Sequence, residues 1–189
     1  MIFQEPSSIE KEKFDECLLF SDVTRLNSKG YSTFEYNKLL VEIADVAAIK
    51  GAGKSMAVAF TGKYLSSKAK YSGKDRTIIY LKGQGLILPP TNLEGLTSVL
   101  ENDKMTIWSN SKDWKKIVPA KTLKLIESIK TNELLVDFSM TIHSGKQYVC
   151  MGYDDPLMLP AFENEYNPKP TEQYKKEVAI VLSIMEALA

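Results

Sequence analysis

The chain has 189 residues, 44% apolar, 25% charged and 10% aromatic, a composition that excludes disordered, collagen-like and coiled-coil classes. Its 24 basic and 24 acidic residues cancel, so it lacks the alkaline balance usual for a domain that coats nucleic acid. Two cysteines, Cys17 and Cys150, and a single histidine are too few for a disulfide scaffold or a Cys/His zinc site.

The length fits one domain spanning 1–189, in which roughly 70% of the unfolded chain's surface can be buried without a staple. The first residues, Met1-Ile2-Phe3-Gln4-Glu5-Pro6, carry neither the basic nor the apolar region of a signal peptide, and no long uncharged apolar run follows. The expectation is a cytoplasmic protein with no membrane partner. Charge is unevenly spread: residues 1–49 carry −4, residues 50–130 carry +9 and residues 131–189 carry −5. The densest stretch runs from Lys50 to Lys82, where eight basic residues meet one acid, Asp75.

In chain order, three capping-box patterns predict helix starts, at Ser7 with Glu10, Ser32 with Glu35 and Thr91 with Glu94. The first helix presents Ile9, Phe14, Cys17 and Leu18 and stops before Asn27-Ser28-Lys29-Gly30. The second, at 32–49, reads most clearly, because Tyr31 and Tyr36 stand at hydrophobic-staple positions and Leu39, Leu40, Ile43 and Val46 follow at helical spacing. The third is short and carries Leu93, Leu96, Val99 and Leu100. From 55 to 88 the period changes to alternation broken by Gly62-Lys63, Ser72-Gly73-Lys74-Asp75 and Gly83-Gln84-Gly85, which predicts an antiparallel meander. Its clearest strand is Thr77–Leu81, and a helix is the alternative for 55–67.

Further strands are predicted at Met105–Trp108, Leu134–Thr141 and Gln147–Gly152, the last two joined through His143-Ser144-Gly145-Lys146 in a hairpin over 133–153. A short helix is expected between Pro119 and Lys130. Residues 154–170 hold four of the eight prolines and read as a connector before a C-terminal helix at 171–188, capped by Thr171. That helix carries an apolar stripe of Tyr174, Val178, Val181, Leu182, Met185 and Leu188. Ile180 and Ile184 widen the stripe beyond one sheet face, so a second cover is expected, either segment 7–20 or a symmetric dimer partner. The fold class is α+β: an antiparallel sheet packed by the helices 32–49 and 171–188 on one face.

Four constellations of residues bear on chemistry. Lys50-Gly51-Ala52-Gly53-Lys54-Ser55 resembles a phosphate loop, but Ala48 stands where the first glycine belongs and helical spacing precedes it, so a Gly-rich helix-to-strand turn is expected. Cys150 and His143 could form a nucleophile pair. A two-residue turn at Ser144-Gly145, however, sets His143 opposite Lys146 and Cys150 opposite Ser139, about 13 Å apart along the ladder. The acids Asp137, Asp154, Asp155, Glu163 and Glu165 match no metal-loop spacing. No catalytic residue, metal or cofactor is therefore expected.

The favoured constellation is the basic run interleaved with tyrosines: Lys50, Lys54, Lys63, Tyr64, Lys68, Lys70, Tyr71, Lys74, Arg76 and Lys82. Lysines and arginine replace counterions along phosphates, and aromatic faces stack on unpaired bases. The expected function is a non-enzymatic binding protein that contacts single-stranded or structured nucleic acid. The alternative is a regulatory protein that binds a protein partner through the acidic, Pro-rich segment 154–170 or the C-terminal helix, as monomer or homodimer.

Overall fold

The computed structural model describes residues 8–82, 89–129, 135–153 and 168–189, with the side chains of 135, 136 and 168–177 outside the description. In order these form α1 (Lys11–Asp15), β1 (Val23–Tyr36), β2 (Leu39–Lys50), β3 (Ala57–Lys68), β4 (Thr77–Leu81), β5 (Thr97–Glu101), β6 (Met105–Ser109), α2 (Trp114–Ile117), α3 (Ala120–Glu127), β7 (Leu135–His143), β8 (Lys146–Tyr153) and α4 (Pro168–Leu188). The described strands make one eight-stranded sheet in the order β1-β2-β3-β8-β7-β4-β6-β5, every neighbouring pair antiparallel. The α+β class with an antiparallel sheet therefore holds, and residues 57–68 are strand.

The helix predicted at 32–49 is instead a β-hairpin. Asn37 and Lys38 both take positive φ, 47° and 70°, the geometry of a two-residue turn whose twist matches its strands. The misreading has a physical origin in β2, which changes its buried face midway. Leu39 and Val41 face one core, whereas Ala44, Val46 and Ala48 face the other. Two alternating runs offset by one residue imitate helical spacing.

Two cores result, one on each face of the sheet. The first lies under α4 and α3 and gathers Leu65, Ile79, Met105, Ile107, Phe138, Met140, Val149 and Met151 with Ile126, Val181, Ile184 and Met185. On the other face, Phe14, Cys17, Leu19 and Phe20 close over Phe60, Tyr64, Ile78, Tyr148 and Cys150. Its rings interlock, with Phe14 5.7 Å from Tyr64 and Phe20 5.6 Å from Phe60 between centroids. The second cover of α4 is thus α3, which packs beside it, while the N-terminal segment covers the opposite face.

Other expectations change in detail. The segment from Thr91 turns without a helix: the Thr91 and Asn92 amides donate to the Leu19 carbonyl, and Val99 and Leu100 belong to β5. Of the predicted 55–88 meander, β3 and β4 are not adjacent, because β8 and β7 separate them, and residues 83–88 lie outside the described residues. Helix α4 starts at Pro168 rather than at Thr171, and residues 154–167 of the predicted connector lie outside the described residues. The β7–β8 hairpin has the expected register, His143 opposite Lys146 and Ser139 opposite Cys150. Ser144 and Gly145 take φ of 54° and 77° at its turn, where glycine carries no Cβ penalty.

Candidate anion-binding end of the sheet

The basic run 50–82 does not form one face. Strand β3 separates its members: Lys50 and Lys54 flank the β2–β3 turn, while Lys68, Lys70 and Lys74 lie at and beyond the strand's other end. Twelve residues at strand rise put those ends about 36 Å apart. Lys82 leaves β4 at its Leu81 end, which pairs with Phe138 of β7, opposite to the His143 turn. It stands 3.8 Å from Glu101.

Three predicted site residues are committed to the fold. Tyr64 is buried among Phe14, Tyr148 and Phe60, and burial pushes its hydroxyl far above the usual tyrosine range, so its ring offers no stacking surface. Arg76 is buried, with Nη1 donating to the Leu18 carbonyl. Lys63 pairs with Asp45 at 2.8 Å. The 50–55 loop is a strand-to-strand turn with a short 3-10 segment at Gly53–Ser55, where Ser55 Oγ donates to the Ala52 carbonyl. It neither leaves a strand for a helix nor follows one, so it has no phosphate-loop architecture.

The remaining residues converge at the end of the sheet that holds the β7–β8 turn. Beyond β3 the chain is strapped onto that turn: the Ala69 amide donates to the Gly145 carbonyl, Gly145 to Tyr71, and Ser144 to Gly73, at 2.9, 3.1 and 2.8 Å. Lys68 and Lys146 stand directly opposite each other in the β3–β8 ladder, both exposed. Pairing of Thr77 with Ser109 brings residues 110–116 to the same end, where Asn110 Oδ1 accepts from the Arg76 amide at 2.7 Å. This adds Lys112, Lys115 and Lys116, which sequence proximity could not connect to Lys70.

Between these loops lies a cavity of about 480 Å³ lined by Lys70, Tyr71, Asp113, Lys116, Ile117 and Leu188, among others. Its volume lies within the range of small-molecule sites. Lys70 and Lys116 stand at a hollow of mixed polarity that Asp113 also lines, and Lys116 reaches Asp113 at 3.6 Å. Tyr71 is half-buried, its hydroxyl 3.2 Å from Asp75. Trp114 is half-buried with the Lys115 ammonium 5.8 Å from its ring centre. Among the described residues, Lys68, Lys70, Lys74 and Lys146 have no ion-pair partner.

The other sequence candidates stay apart. His143 stacks on Tyr148, 5.4 Å between centroids, and its Nε2 lies 3.0 Å from the Glu16 carbonyl, while burial lowers its pKa. Asp137 is buried in β7, and burial lifts its carboxyl to about 7 despite a hydrogen bond from the Gly152 backbone. The acids 154, 155, 163 and 165 lie outside the described residues. Among the described residues no three metal-ligating side chains gather, and no helix is long and apolar enough to cross a membrane.

No family model matches the chain, and no curated protein matches it in sequence. Among solved structures it is similar to the mycobacterial trehalose monomycolate transport factor A, TtfA, with a TM-score of 0.54 and 11% identity over 99% of this chain and 89% of that one. At that identity the likeness is one of fold.

Proposed function

We propose that the chain is a non-enzymatic binding protein whose ligand is a polyanion, with single-stranded or structured nucleic acid as the class, met at the β7–β8 turn end of the sheet. The observation that carries this reading is the Lys68–Lys146 pair. Like charges directly opposite in a ladder oppose folding, and here both are exposed with no acidic partner among the described residues. A phosphate between them would turn that repulsion into attraction. Lys70, Lys74, Lys112 and Lys116 extend the charge, and Tyr71 and Trp114 supply partly open rings at the same end. This is the pairing of cations and stacking surfaces that single-strand binding uses.

The site is smaller than the 50–82 segment: Tyr64, Arg76 and Lys63 serve the fold, and Lys50, Lys54 and Lys82 stand at the far end. The transport role in the structural neighbour's name is a property of that protein and adds nothing to this reading. A mobility-shift titration with single-stranded DNA and RNA at low salt tests the proposal. Saturable binding that weakens steeply with salt is expected, and no binding at tens of micromolar protein overturns it.

A further inference from the structure

The chain's two cysteines belong to different parts of the fold, Cys17 to the segment after α1 and Cys150 to the middle of β8. Contacts on both sides bracket their approach. Three residues before Cys17, Phe14 lies on Tyr64, and Tyr64 is Cys150's ladder partner in β3. One residue before it, the Glu16 carbonyl meets His143 Nε2 at 3.0 Å, and one residue after it the Leu18 carbonyl receives Arg76. The His143 ring in turn lies on Tyr148, two residues from Cys150 and on its face of the sheet. Both thiols are buried, 1% and 0% exposed, in the same core, where Cys17 is among the groups that raise the Cys150 thiol.

We infer that Cys17 and Cys150 are a modification site: a dithiol that a low-molecular-weight disulfide converts into an internal Cys17–Cys150 bond, which locks the N-terminal segment onto the sheet. The Cys17 thiol loses its proton to solvent, and its sulfur attacks one sulfur of the small disulfide RSSR. The S–S bond breaks, and one RS⁻ leaves and takes up a proton. Cys150, deprotonated in turn, attacks the Cys17 sulfur of the mixed disulfide and expels the second RSH. The protein's two thiols are oxidised to one disulfide, and RSSR is reduced to two RSH.

Burial keeps this exchange slow in the closed state, since burial holds the Cys150 thiol well above its usual range and only the thiolate reacts. Access comes from local opening of the N-terminal segment, whose single helix has five residues and is held by few long-range backbone bonds. The inference stands independently of polyanion binding.

The reduced full-length chain, incubated with oxidised glutathione and then alkylated under denaturing conditions, tests it. The expected product has lost two hydrogens, takes up no alkylating agent and yields a Cys17–Cys150 cross-linked peptide. Its melting temperature should rise by about 10 °C, reversibly with a reductant, because the bond closes a loop of about 130 residues. Cys150→Ser should instead stop at a glutathione adduct on Cys17. Retention of both alkylatable thiols, an intermolecular dimer, or an internal bond that lowers the melting temperature would each overturn the inference.

Discussion

The two ends of β3 both carry lysines, yet they differ in what surrounds them. At the β2–β3 turn, Lys50 and Lys54 border a tight Gly-rich hairpin, and Lys82, at the end of β4, has Glu101 within 3.8 Å. At the other end, backbone hydrogen bonds hold loop 69–75 to the β7–β8 turn, and Asn110 ties residues 110–116 to Arg76 just beyond that loop. Lys70 and Lys116 therefore line one hollow, with Lys68, Lys74 and Lys146 at the same end of the sheet. A lysine on a turn keeps a hairpin in water; lysines from three separate loops brought to one place are an electrostatic arrangement. Only the topology, not the local density of charge in the sequence, separates these cases.

The largest expected effect on stability lies at the far end, in Asp137→Asn. The Asp137 carboxyl titrates at about 7 in the fold against an ordinary 3.8. Between about pH 4 and 7 the folded state thus holds a proton that the unfolded state has released, so stability falls as pH rises through that window and then levels off. Asn removes this dependence and should stabilise the protein by about 2–4 kcal/mol at pH 8, measured by denaturant unfolding across pH. Polyanion affinity should be unchanged; a parallel loss of binding would break the separation between the ends.

Next comes charge reversal at the near end. Lys70→Glu, Lys116→Glu and Lys146→Glu together should weaken single-strand binding roughly ten- to a hundredfold at low salt, with circular dichroism confirming an intact fold. Lys146→Glu alone sharpens the comparison, because it replaces a like-charge ladder pair with an opposite one. It should raise stability by about 0.2–1 kcal/mol while it lowers affinity, and a gain in both would deny the Lys68–Lys146 pair a binding role. The smallest effect belongs to Lys50→Ser with Lys54→Ser. These positions lie several Debye lengths from the site at about 0.1–0.15 M salt, where that length is about 8–10 Å, so affinity measured at that ionic strength should change by less than about twofold.

Legibility in the sequence followed locality. Thr77–Leu81, the 143–146 turn with its register, and the helix after Pro119 are encoded by short-range chemistry: β-branched residues, a turn glycine, and a proline ahead of a helical apolar stripe. The 39–50 strand was hidden because both faces of the sheet are covered, which lets β2 bury Val41 on one side and Val46 on the other. Of the candidate site, Lys68, Lys70, Tyr71 and Lys74 were visible as a basic run, whereas Lys112, Lys115, Lys116 and Trp114 required the β4–β6 pairing. Tyr64 and Arg76 carry no sequence mark that distinguishes a core ring and a buried cap from surface contacts. Their burial follows from the N-terminal segment closing over that face.

The central claim is that polyanion binding belongs to one end of the sheet, and the salt dependence of affinity tests it most directly. Fluorescence anisotropy with a labelled single strand, repeated across salt concentrations, gives the slope of log affinity against log salt for the unaltered chain, the Lys70/Lys116/Lys146 triple variant and the Lys50/Lys54 double variant. The account predicts that the triple variant's slope is shallower by about 2, at roughly 0.7 per lost phosphate contact, and that the double variant keeps the original slope. Equal slopes for the triple variant and the unaltered chain, or a shallower slope in the double variant alone, would contradict it.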